Sequence, residues 1–78
     1  MGVLANEMNV GVKMHCEGHA ELGNPKSVYL RSDCTVIEKP LYGAQYVKVR
    51  LKFGPHRNNE EMLVPIVNCC WIDQNKQL

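Results

Sequence analysis

An excess of charge of either sign is missing from this chain: nine Lys and Arg stand against eight Asp and Glu, for a net charge of +1. That balance predicts neither a protein that coats nucleic acid nor an acidic mimic of one, and whole-chain charge says nothing further about partners. No hydrophobic run approaches the ~20 residues of a membrane-spanning helix. Met1 to Asn6 carry neither the basic nor the long apolar stretch of a secretory leader. Gly2 would suit myristoylation, but Asn6 stands where Ser or Thr is required. The expectation is a cytoplasmic protein without a membrane partner. Internal repeats, low-complexity tracts and linkers are missing too, so one domain over 1–78 is expected, with 1–7 and 74–78 as frayed tails.

The composition that remains, 45% hydrophobic and 22% charged, is that of a globular chain. A domain this short buries only about 60% of the surface exposed by its unfolded form. Its core therefore needs help from oligomerisation, a metal, a disulfide or unusually complete packing.

Two segments alternate with the period of a half-buried strand. From Val10 to Leu22 the even positions are mostly apolar, and Lys13, His15, Glu17, His19 and Glu21 take the odd ones. Gly18 interrupts the apolar series and predicts a bulge or a bend where the strand curves. From Gln45 to Phe53, Val47, Val49, Leu51 and Phe53 are expected to face one way and Tyr46, Lys48, Arg50 and Lys52 the other. Short strands are expected over 27–31 and 34–38, separated by a Ser32-Asp33 turn and preceded by a turn at 23–26. Gly54 to Asn59 reads as a hairpin loop. The last segment, Met62 to Ile72, is apolar on both faces and reads as one strand from Glu60 or Glu61 to Asp73, with Pro65 marking an edge or bulge. The expected fold is mostly β: a five- to six-stranded antiparallel barrel or sandwich, SH3-like or OB-like.

Four cysteines, Cys16, Cys34, Cys69 and Cys70, allow three disulfide connectivities in a secreted mini-protein. Without a secretory signal they read as free thiols, which behave as small hydrophobes. Cys16 and His19 form a C-x-x-H unit that Cys34 and Cys69 could complete as a zinc site, a weak alternative because paired C-x-x-C spacing is absent. His15, Glu17 and His19 share one strand face, a spacing that permits a metal without requiring one. Neighbouring side chains on a strand diverge, which disfavours a redox Cys69-Cys70 pair and a His15-Cys16 catalytic pair. Ser27 and Ser32 lie in no nucleophile elbow, and no glycine-rich phosphate loop is present. The chain reads as non-catalytic, with no cofactor and no identifiable small-molecule substrate.

Two functions follow. An edge strand apolar on both faces invites a partner, so Leu63, Val64, Ile66, Trp71 and Ile72 are the candidate surface of a protein-interaction or regulatory module, with homodimerisation expected. The alternative is a small nucleic-acid-binding barrel that uses Tyr46, Lys48, Arg50, Lys52, His56 and Arg57, a basic stretch with a ring available for stacking. Against that alternative stands cross-strand pairing of the ridge with Glu17 and Glu21.

Overall fold

The computed structural model describes residues 5–21 and 27–72. The chain is mostly β, and one antiparallel sheet holds five strands: β1 (Lys13–Glu21), β2 (Ser27–Glu38), β3 (Tyr46–Phe53), β4 (Asn58–Pro65) and β5 (Cys69–Trp71). Helical structure among the described residues is limited to the 3-10 turns Ala5–Glu7 and Ile66–Asn68. No helix there is long and apolar enough to cross a membrane. The turn expected at 23–26 and the tail at 74–78 lie outside the described residues. Of the amino-terminal stretch, Ala5–Glu7 is ordered into its turn and Met8 is fully buried behind it.

Across the sheet the order is β4-β3-β2-β1-β5. Strands β4 and β5 are therefore at opposite ends, yet only Ile66–Asn68 separates them in sequence. A flat sheet of this width would span roughly 19 Å, and three residues reach at most about 10 Å. The sheet must curl until its two edges approach, and β1 indeed touches β4 across the interior. No ladder joins β4 to β5 among the described residues, so the shape is that of an unclosed barrel.

Period-two alternation fills the inside of the curl. Strand β1 contributes Met14, Cys16 and Ala20, and β3 contributes Val47, Val49 and Leu51, all buried. Val36 and Val64 join them at 0% exposure.

Three local expectations are corrected. Strand β2 runs unbroken for twelve residues where two short strands and a turn were expected. Ser32 sits inside at 3% exposure because its hydroxyl is satisfied: it donates to the Asp33 carbonyl at 2.7 Å and accepts from the Phe53 N–H at 2.9 Å. A hydroxyl with both roles filled can occupy a core position in a strand. The segment after Glu60 is not one strand. Pro65 ends β4, with φ −63° and ψ 134°, and the chain turns through Ile66–Asn68 before β5 begins. That proline lacks the N–H a continuing ladder needs.

Gly18 makes no bulge, since the β1/β2 register is unbroken from Lys13↔Thr35 to Glu21↔Ser27. Its φ of +147° is one that side-chain-bearing residues rarely adopt, and a Cβ there would lie 2.6 Å from Cγ of Asn68. The missing side chain admits Asn68, whose Nδ2 donates to the His19 carbonyl at 3.0 Å. This contact pins the β4–β5 link onto β1.

Candidate functional site

The outer face of β1 and β2 carries a connected polar network. His15 Nδ1 lies 3.0 Å from Asp33 Oδ1 and Nε2 lies 3.1 Å from Glu17 Oε1, so a doubly protonated ring satisfies both carboxylates. Tyr29 donates to Glu17 Oε2 at 2.8 Å, and Arg31 Nε approaches Oε1 of the same carboxylate at 3.9 Å. The hydrogen bond to Asp33, and next the one to Glu17, raise the His15 pKa above its ordinary value. The same imidazole, followed by Tyr29, holds Glu17 below the usual carboxylate range. Asp33 reaches His15 because β2 lies beside β1 with His15 opposite Asp33. Sequence alternation placed His15 outward, but Asp33 was expected in a turn, and nothing in the pattern said which strands were neighbours.

The thiols and His19 do not converge. Cys16, Cys34 and Cys69 point into the core, with Cys16 and Cys69 opposite each other on β1 and β5. His19 is on the other face, with its ring edge-on to Tyr29 at 5.2 Å between centroids. Burial pushes the Cys34 thiol up to about 12. Cys69 is raised as well, first by its hydrogen bond with Cys16 and then by burial. Cys70 alternates outward, opposite His15. All four cysteines are free. Among the described residues no group of three or more His, Cys, Asp or Glu side chains is arranged to hold a metal ion.

Lys48, Arg50 and Lys52 do line the outer face of β3. Strand β2 separates them from β1, so their cross-strand neighbours are not Glu17 and Glu21 but Thr35 and Glu38 on β2 and Glu61 and Leu63 on β4. Arg50 Nη2 binds Glu61 Oε2 at 2.6 Å. The Lys52 ammonium lies 5.4 Å from the Phe53 ring centroid. His56 is tied to Glu60, which accepts from its N–H at 2.9 Å and meets its Nδ1 at 2.8 Å. Glu60 also accepts from the Arg57 N–H at 3.3 Å, and Gly54 gives it room, since a Cβ there would lie 2.5 Å from that of Glu60. The carboxylate closes the β3–β4 hairpin from within, and the hydrogen bond from His56 lowers its pKa. Sequence reasoning missed Lys13, which stands in one row with Thr35 and Arg50 across β1, β2 and β3.

The expected interaction residues separate. Leu63 is 56% exposed on the outer face, while Val64 is buried at 0% and belongs to the core, which corrects its place in the surface. Trp71 packs against the core opposite Met14, and Ile72 lines a different groove, beside Lys13 and Lys52. Ile66 is half-buried against the core, and its outer side lines a groove of about 440 Å³ with Tyr46, Pro65 and Val67, the last 88% exposed. Pro65 and Val67 were not expected in a binding surface. The Ile66 N–H donates to the Gln45 carbonyl at 2.9 Å, which holds the two sides of the groove together. Compared with protein-family models, with curated proteins and with solved structures, the chain matches none.

Proposed function

We propose that this protein is a non-catalytic protein-interaction module whose partner is a second copy of the chain, docked on Tyr46, Leu63, Ile66 and Val67. One observation carries the reading: an apolar groove at the end of β4 is continuous with a strand at the edge of the sheet whose ladder, among the described residues, is used on one side only. Contiguous exposed apolar surface beside a free edge is where chains associate. The small core gives the same expectation, because a second copy would cover surface that so short a chain cannot bury alone.

The basic strand supports a second reading, nucleic-acid binding, through Lys48, whose cross-strand neighbour on β2 is Glu38, and Lys52, neither of which forms an ion pair within 4 Å among the described residues. It ranks lower because Glu61 already holds Arg50 and Glu60 already holds His56. Sedimentation velocity over a range of concentrations decides the first reading. A dimer is expected, and replacing Leu63 and Val67 together by Glu should yield a monomer with an unchanged circular dichroism spectrum. A wild-type chain that stays monomeric at high concentration overturns self-association. Salt-sensitive capture of a labelled oligonucleotide by that monomer would favour the basic strand instead.

A further inference from the structure

We propose that the trough between Lys13, Arg50 and Lys52 binds the phosphate group of a small phosphomonoester, a site independent of the apolar groove. Lys13, Thr35 and Arg50 are cross-strand partners on three successive strands. At the spacing of adjacent strands, the two long cationic side chains spring from points roughly 10 Å apart. Thr35 between them is short, and the difference in side-chain length opens the trough. Its volume is about 400 Å³, with Lys52, Asn59, Asp33, Cys34 and Ile72 completing the lining.

The charges fit an anion. Three cations line the trough against the Asp33 carboxylate inside it, whose Oδ1 is engaged by His15 at 3.0 Å, and the Glu61 carboxylate paired with Arg50. Glu61 grips one nitrogen of Arg50, which orients the guanidinium and leaves its other N–H groups free to donate. Lys13 and Lys52 have no anionic partner among the described residues. Two ammonium groups, a guanidinium, the Thr35 hydroxyl and the Asn59 amide offer more donors than the two oxygens of a carboxylate can use. A phosphomonoester presents three terminal oxygens and a charge near −2 at neutral pH. The trough also exceeds what a phosphate alone would fill, and Ile72 supplies an apolar wall for the organic part.

Amide chemical-shift titration of the full chain tests this, at constant ionic strength, with inorganic phosphate, a nucleoside 5′-monophosphate, the unphosphorylated nucleoside and a short oligonucleotide. Saturable shifts are expected at Lys13, Thr35, Lys52 and Asn59 with the first two ligands and not with the nucleoside. Phosphate alone saturating the site identifies the anion as sufficient, and tighter binding of the monophosphate identifies the organic part as a contributor. Replacing Lys13 and Lys52 together by Gln should weaken binding at least about tenfold while the remaining spectrum keeps its dispersion. Linear, unsaturating shifts, equal shifts at Arg31, Lys48 and Arg57, or a double variant that binds as well as wild type would each overturn the proposal. So would binding of the oligonucleotide alone with shifts running from Tyr46 to Lys52, which would assign the ridge to strand tracking.

Discussion

Strands β1 and β2 present two faces that share a backbone and little else. Inside are Met14, Cys16, Ala20, Leu30, Cys34 and Val36, all buried, and burial pushes the Cys34 thiol up. Outside, displaced by one residue, are His15, Glu17, Tyr29, Arg31 and Asp33, bonded into a network that water reaches. The inner face acts through area and shape and is indifferent to pH. The outer face acts through charge, and its contribution changes with proton concentration and salt. Substitutions one residue apart should therefore fail in different ways.

The largest effect belongs to the inner face. Leu30 is 3% exposed and packs within the central cluster. Replacing it with Ala should cost about 2–5 kcal/mol, through lost transfer energy and the cavity left behind. The cost should be the same at pH 5 and pH 8 in denaturant melts. A marked pH dependence would mean that the two faces are coupled through the backbone.

Gly18 is the inner position without a side chain, and its effect should be next in size. Gly18→Ala forces a residue with a Cβ into a φ of +147°, a strain of about 1–3 kcal/mol, and also drives that Cβ against Asn68. Asn68→Ala alone removes one hydrogen bond to the His19 carbonyl, worth about 1 kcal/mol. The double variant should be less destabilised than the sum of the two, because the collision disappears while the backbone strain remains. Strict additivity would show that Asn68 yields freely and that the fit at Gly18 contributes little.

The same contrast explains what could be read from the sequence. Strands β1 and β3 were legible because each has one wet face, and Val47, Val49 and Leu51 alternate as expected, while Phe53 at the strand's end was expected inside and is 56% exposed. Strand β2 was misread at Ser32, because a satisfied hydroxyl in the core resembles a turn residue until its partners are known. The stretch from Met62 to Ile72 was misread for the opposite reason. Its double-sided apolarity arises from two strands and a turn that serve different surfaces: Val64 and Cys69 face inward, while Leu63 and Val67 are left outside. Residue types named the cations of β3 correctly, but the trough with Lys13 and the His15–Asp33 bond depend on strand order. Alternation fixes a face and is silent about neighbours.

The smallest effect should come from the outer network, and its sign follows from the shifts. His15 has a folded pKa raised above its ordinary value of 6.5, first by Asp33 and then by Glu17. Its contribution to stability is fully present below 6.5 and is lost as pH rises through the elevated folded value. Glu17 has a folded pKa held below its ordinary 4.5, first by His15 and then by Tyr29, so its share is present above 4.5 and is lost as pH falls through the depressed value. The network should therefore stabilise most between about 4.5 and about 6.5. Comparing melting temperatures of wild type and His15→Gln across pH measures it directly. The difference should peak near pH 5.5, shrink by pH 8 and shrink again in high salt, because these groups face water and are screened. A difference that stays constant from pH 5 to pH 8 would assign the role of His15 to packing against its strand neighbours, and the outer face would then resemble the inner one.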